Sequence, residues 1–284
     1  MTSSKKNKIK KTGGVATWLI TDNCNYKCSY CFAHKSKLKV EDHVSFLKNI
    51  RNKIPRNWSF YILGGGEPFT HPNFFEIIDG LVKAGYRLSI TSNFSASLNK
   101  LNRFFKITGK NLDFFNASLH LEHAQAQVFV KKILALKKSF PDKKIFVTTV
   151  AIKGKIKEAE YLKQLFFDKK IKLLFLRLRR RKKNKEFKNI NYSLKERACF
   201  SFSNQQKYIS LTDQFCDAGY KRVTILPAGD IFRCIEGTIK TRGYLGNILT
   251  NGFAFYEKSL PCEEEFCICG NTYSKYKKIA NKIL

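Results

Sequence analysis

The sequence predicts an α/β fold on a parallel sheet, open or closed, followed by a smaller cysteine-rich region containing a β-hairpin. Short β-branched or aromatic runs recur along most of the chain, and several are apolar on both faces, as parallel strands covered by helices are. Amphipathic segments of helical period lie between them, which is the βα repeat. Past residue 200 the pattern changes to turn-rich segments carrying five of the nine cysteines.

In order, the predicted strands are Ala16–Thr21, Trp58–Leu63, Arg87–Thr91, Phe114–Leu119, Ile145–Ala151 and Lys172–Arg177. Phe74, Ile78 and Leu81 make one helical stripe, with Pro72 near its start and Gly85 just past its end. Leu98, Leu101 and Phe105 make a second, Phe129, Ile133 and Leu136 a third, and Leu162, Leu165 and Phe166 a fourth. Six βα units are too few for a closed eightfold barrel. Arg177 to Lys185 is strongly basic and reads as a boundary or an exposed loop. Later, Arg222–Leu226 and Ile231–Arg233 flank Pro227-Ala228-Gly229-Asp230, a hairpin signal. The expected division is a disordered basic tail at 1–14, a main unit at 15–185, a basic linker at 186–215 and a cysteine-rich unit at 216–284.

The 284 residues, 43% hydrophobic, suffice for a sizeable core. No run of 18 apolar residues predicts a membrane span, and Val15–Ile20 is too short for a signal-peptide core. A cytoplasmic location is expected. Lys and Arg outnumber Asp and Glu by 53 to 22, a net charge of +31. Such a balance suits either a solvated basic surface or an anionic partner: a phosphorylated small molecule, an acidic peptide or nucleic acid.

Three of the nine cysteines cluster at Cys24, Cys28 and Cys31, and three more at Cys262, Cys267 and Cys269. In a reducing compartment this spacing points to metal or redox chemistry rather than disulfides. Three thiolates on one loop hold three irons of a cubane and leave the fourth open to a cofactor or substrate, whereas four close it. Zinc, with His34 as a fourth ligand, is the competing reading.

The Cys-x₃-Cys-x₂-Cys spacing, with Tyr30 before the last cysteine, resembles the signature of the radical S-adenosylmethionine (SAM) superfamily. Gly65-Gly66-Glu67-Pro68, at the end of the second strand, resembles that family's motif for the methionyl amino group of SAM. The glycines would admit close backbone approach and Glu67 would offer a carboxylate to the ammonium. By the same resemblance Asn93 and Ser118, at later strand ends, are SAM contacts. His120, Glu122 and His123 could face substrate, or be structural residues at a strand end. The resemblance implies a partial (βα)6 TIM-like barrel, a [4Fe–4S] cluster on Cys24, Cys28 and Cys31, and reductive cleavage of SAM to a 5′-deoxyadenosyl radical that abstracts a substrate hydrogen.

The segment from Cys216 through Gly229-x₄-Cys234 to Cys262-x₄-Cys267-x-Cys269 resembles the auxiliary-cluster region of the SPASM and shorter twitch subgroups. Five cysteines suffice for one auxiliary [4Fe–4S] cluster, so a twitch-like unit is expected, using Cys216, Cys234 and two of Cys262, Cys267 and Cys269. Its role would be electron transfer or substrate binding. The expected substrate is a small polar or anionic metabolite such as a sugar, aminocyclitol or nucleotide, with an external reductant such as flavodoxin or ferredoxin. A ribosomal peptide is the alternative, disfavoured because the short tail leaves no room for a peptide-binding extension before the barrel. A reading of another class is a basic nucleic-acid-binding protein with structural clusters, but it gives Gly65–Pro68 no task.

Overall fold

A computed structural model of the chain describes residues 13–31, 43–181, 187–202, 215–240, 242–250 and 252–263. Its first part alternates strand and helix: β1 (Val15–Leu19), α1 (His43–Lys53), β2 (Ser59–Leu63), α2 (Phe74–Lys83), β3 (Arg87–Ser92), α3 (Leu98–Thr108), β4 (Leu112–Leu119), α4 (Ala126–Ser139), β5 (Ile145–Ala151), α5 (Ile156–Asp168) and β6 (Leu173–Arg177). All six strands fall within two residues of the sequence prediction. Helix α1 was not anticipated, because only Phe46 and Ile50 of its residues are buried and they make too thin a stripe.

Strands β1 to β6 pair in sequence order, all parallel. Parallel crossovers of one hand in one direction put every connecting helix on one side of the sheet. The core shows this directly. Ala16, Trp18, Phe60, Ile62, Leu88, Ile90, Phe115, Ala117 and Val147 pack with Phe46, Ile77, Leu81, Phe104, Ile133 and Phe166 of the five helices. The other face buries a separate cluster of Tyr61, Phe114 and Phe146 that contains no helix residue. A doubly wound sheet would carry helices on both faces. One helix-covered face and one aromatic-filled face is the arrangement of a partial barrel.

Aromatic contacts dominate the helix side. Trp18 stacks on Phe46 at 4.8 Å and 8°, and Phe104 meets Phe69, Phe74, Phe105 and Phe115 with centroids 5.6 to 5.9 Å apart. Each such buried ring contributes roughly 1.5–3 kcal/mol.

After β6 come the short antiparallel pair β7 (Arg179–Arg181) and β8 (Phe187–Asn189), then α6 (Leu194–Cys199). The cysteine-rich part holds β9 (Phe215–Cys216), β10 (Arg222–Ile225), β11 (Asp230–Phe232), α7 (Ile235–Lys240), β12 (Tyr244–Asn247) and β13 (Leu260–Pro261). Strand β10 pairs antiparallel with β11, and it also lies parallel to β1, with Val15 opposite Arg222. The nine-stranded sheet therefore runs β12-β11-β10-β1 through β6. It crosses the boundary expected at residue 216. One backbone bond and one side-chain bond mark the join: Val15 N–H donates to Lys221 O at 2.8 Å, and Lys53 Nζ donates to Ile248 O at 2.9 Å.

Candidate functional site

In a parallel α/β sheet the chain leaves each strand at one common edge, and reactive groups gather there. Here that edge carries Cys24–Cys31 after β1, Gly65–Pro68 after β2, Asn93 after β3, Ser118 as the penultimate residue of β4, and His120–His123 beyond it. The sequence-predicted residues of the first half thus meet at one mouth. Cys24 and Cys31 are exposed and Cys28 is half-buried.

The cysteine loop is held first by backbone. Gly66 N–H donates to Thr21 O at 2.8 Å and Glu67 N–H to Asn23 O at 2.7 Å. Thr70 Oγ1 donates to the same Asn23 carbonyl at 3.0 Å. The carbonyl just before Cys24 therefore has two donors from the β2 turn. A Cβ at position 66 would collide with the backbone of Asn23, so only glycine permits this approach. Thr70 was not anticipated, since nothing in the sequence aligns it with residue 23.

Glu67 is 1% exposed. Its Oε1 accepts from Ser92 Oγ at 2.8 Å and Phe69 N–H at 3.2 Å, and its Oε2 from Asn93 N–H at 2.6 Å. The carboxylate braces the β2 end to the β3 end, a use that the expected ammonium contact did not foresee. Burial raises its pKa to about 7 against the pull of these donors. Beyond the brace, Asn93 Nδ2 donates to Asn25 Oδ1 at 2.9 Å and lies 3.9 Å from Cys24 Sγ. Phe94, at φ 61, is strained backbone. It is held by its N–H to Ser92 Oγ and by Lys132, whose Nζ reaches Phe94 O at 2.8 Å.

Ser118 belongs to the concave face. Below it lies a buried polar chain in which Thr148 Oγ1 donates to Asn116 Oδ1 at 3.1 Å and Asn116 Nδ2 to Thr91 Oγ1 at 3.1 Å. Tyr61 hydroxyl sits 2.7 Å from Thr91 Oγ1. The Tyr61, Phe114 and Phe146 cluster closes the bottom.

His120, Glu122 and His123 contact the cysteine loop. Ser29 N–H donates to Glu122 Oε2 at 2.7 Å, and Ser29 Oγ to Glu122 Oε1. His120 Nδ1 lies 3.1 Å from Tyr30 hydroxyl and 3.5 Å from Cys28 Sγ. Burial lowers the His120 pKa to about 4, leaving the ring neutral. Burial, then the neighbouring Cys31 and Glu122, push the Cys28 thiol up to about 11. A metal taking this thiol must displace its proton. At Cys24, Tyr26 N–H points at Sγ over 3.4 Å, the kind of amide-to-sulfur bond that supports a thiolate.

In the second half, β13 pairs antiparallel with β9 so that Leu260 is opposite Cys216 and Pro261 opposite Phe215, with Cys262 next after β13. Buried Arg233 donates to Pro261 O at 3.1 Å and pairs with Glu263 at 3.0 Å, tying the flank of Cys234 to both sides of Cys262. Ala218 N–H points at Cys216 Sγ over 3.4 Å and Gly237 N–H at Cys234 Sγ over 3.3 Å. Cys267, Cys269 and His34 lie outside the described residues. Cys199 is buried beside α5, with Sγ 3.9 Å from Ile156 O. Arg177, at the head of the basic stretch, packs over the Phe202 ring at 4.4 Å. Among the described residues no helix is long and apolar enough to cross a membrane.

Comparison with known proteins bears on the same edge. The Radical SAM superfamily model matches residues 18–120. The tungsten-containing aldehyde ferredoxin oxidoreductase cofactor-modifying protein of Pyrococcus furiosus is 30% identical over 120 residues, 41% of this chain and 33% of that protein. The S-adenosylmethionine-dependent nucleotide dehydratase of Selenomonas ruminantium is 34% identical over 84 residues, 28% of this chain and 30% of that protein. The chain thus spans about a third of the length of these curated relatives. The crystal structure of Streptococcus suis SuiB superposes with a TM-score of 0.61 at 16% identity, over 85% of this chain and 64% of that one. That likeness shows the shared fold. Residues 18–120, the stretch that matches the Radical SAM superfamily model, carry the cysteine loop, the Gly65–Pro68 turn and the ends of β3 and β4.

Proposed function

We propose that this protein is a radical SAM enzyme in which Cys24, Cys28 and Cys31 hold a [4Fe–4S] cluster. Gly65, Gly66, Glu67, Pro68, Asn93 and Ser118 would form the SAM wall. The observation that carries the reading is the backbone pairing of Gly66 and Glu67 with Thr21 and Asn23, which sets a three-thiol loop against a glycine turn at one sheet edge. The donor set fits the group: three soft sulfurs on one short loop leave one iron of a cubane without a protein ligand. When bound, the reduced cluster and SAM supply a 5′-deoxyadenosyl radical. The chain's own part is positioning and exclusion of water. Glu67 fixes Asn93 through its N–H, leaving the Asn93 amide directed at the loop. The aromatic floor of the concave face closes the barrel from below.

Residues 216–284 are proposed as a twitch-like unit holding one auxiliary [4Fe–4S] cluster through four of Cys216, Cys234, Cys262, Cys267 and Cys269. The amide-to-sulfur bonds at Cys216 and Cys234 and the β9–β13 pairing support this. The proposed substrate is a small polar or anionic molecule, supported by the charge of +31 and by a relative named as a nucleotide dehydratase. The electron would come from an external reductant such as flavodoxin or ferredoxin.

The test is anaerobic reconstitution with iron and sulfide, then reduction in the presence of SAM. A brown protein that releases 5′-deoxyadenosine is expected. A colourless, zinc-loaded chain releasing none would overturn the reading. Deuterium transfer into 5′-deoxyadenosine from candidate sugars, nucleotides or peptides would then assign the substrate class.

A further inference from the structure

Nothing above gives the segment after β4 a task, although its hydrogen bonds and ring contacts reach one loop some ninety residues earlier in sequence. Glu122 takes both the N–H and the hydroxyl of Ser29. His120 Nδ1 sits within reach of Tyr30 hydroxyl and Cys28 Sγ, and its ring stacks on Tyr30 at 5.9 Å and 15°. His123 stacks on Tyr26 at 4.6 Å and 18°. The partners Tyr26, Ser29 and Tyr30 are three of the five residues interleaved with Cys24, Cys28 and Cys31.

We propose that residues 120–123 form a clamp on the cysteine loop, with Glu122 as its positioning residue. This rests on the reading of the loop as a cluster site. Ser29 lies between Cys28 and Cys31, and its N–H is a main-chain donor in an irregular, exposed loop. Among the described residues the loop has one internal main-chain bond, Cys31 N–H to Cys28 O at 3.1 Å. A carboxylate accepting two hydrogen bonds from one residue fixes that residue's backbone, and so the directions in which the flanking cysteines leave the chain. Tyr26 and Tyr30, held by His123 and His120, fix the loop on either side of Cys28. The three thiols would thus be arranged before any iron arrives.

The experiment uses the full chain, first without cluster and then reconstituted, as wild type and as Glu122→Ala, Glu122→Gln and Ser29→Ala. In the cluster-free chain, hydrogen exchange of the Ser29 amide is expected to be at least about tenfold slower in wild type than in Glu122→Ala, since a satisfied amide is protected. Ser29→Ala keeps the amide bond and is expected to keep most of that protection. In the reconstituted chain, Glu122→Ala is expected to lose iron to a chelator several-fold faster and to shift the EPR spectrum of the reduced cluster, with Glu122→Gln intermediate. Unchanged amide exchange, iron loss and EPR spectrum in Glu122→Ala, with a wild-type cluster present, would overturn the clamp and leave the radical SAM reading standing. Failure of the wild type itself to take a cluster would overturn that reading, and the clamp with it.

Discussion

The two cysteine groups of this chain are built in opposite ways. Cys24, Cys28 and Cys31 lie on one short loop, pinned by backbone bonds to a turn of the main sheet. Cys216, Cys234 and Cys262 come from three separated segments, joined by the two-residue strands β9 and β13 and by Arg233. A local loop loses little entropy when it orders, because few residues separate its three thiols. Gathering thiols across tens of residues costs loop-closure entropy. On the proposed reading the first group is arranged by the protein, whereas the second would rely more heavily on a bound cluster. The largest expected effect follows from this. Cys28→Ala should remove 5′-deoxyadenosine formation to the limit of chromatographic detection, with the melting temperature little changed. Cys234→Ala should leave that product within about threefold while iron falls from about eight to about four per chain. It should also lower the temperature at which the C-terminal part unfolds. Equal losses of product in the two variants would break the contrast.

The same contrast runs through packing. Phe104 is fully buried among Phe69, Phe74, Phe105 and Phe115, while Phe215, next to Cys216, is 76% exposed. Phe104→Ala is expected to cost about 3–5 kcal/mol in chemical denaturation, the transfer and cavity terms together. Phe215→Ala should fall within about 0.5 kcal/mol of wild type. A large cost at Phe215 would mean that the cysteine-rich part packs as densely as the barrel.

What could be read from the sequence divides along the same line. The six strands and the Cys24–Cys31 and Gly65–Pro68 pairing of motifs were legible because periodicity and local spacing carry them. Helix α1 was not, since Phe46 and Ile50 alone mark its buried face. Neither was the insertion of β10 beside β1, because strand order in a sheet leaves no trace in local pattern. The contacts Thr70 to Asn23 and Ser29 to Glu122 depend on how two loops 47 and 93 residues apart meet at the mouth. Glu67 was found for its motif, but its inward carboxylate depended on Ser92 and Asn93 arriving from the next strand.

That carboxylate gives a pH-dependent test of the barrel mouth. In the folded chain its pKa is about 7, raised by burial from 4.5. The folded state therefore holds the proton more tightly than the unfolded state. Stability from this group is fully present below pH 4.5 and is lost as pH rises through 7. The total is on the order of 3 kcal/mol at most. Glu67→Gln does not titrate, so wild-type stability relative to that variant is expected to fall as pH rises across this window. In urea titrations at pH 5 and pH 8, a difference that stayed constant would show that the carboxyl is ionised in both states.

The smallest effect is a matched pair of hydroxyl deletions, one in each region. Thr148 Oγ1 and its acceptor Asn116 Oδ1 are both buried on the concave face. Thr148→Val keeps the shape and removes the donor, leaving a buried amide oxygen without it. That loss is expected to cost about 1–2 kcal/mol, because water cannot replace the donor. In the cysteine-rich part, Ser259 Oγ donates to Asp217 Oδ1 at 2.5 Å, but both residues are only half-buried. Water can take over there, so Ser259→Ala should cost less than about 0.5 kcal/mol despite the shorter bond and the charged acceptor. If Ser259→Ala proved the more costly of the two, the cysteine-rich part would be as well ordered before metallation as the barrel. The contrast drawn from the two cysteine groups would then reduce to one of sequence spacing alone.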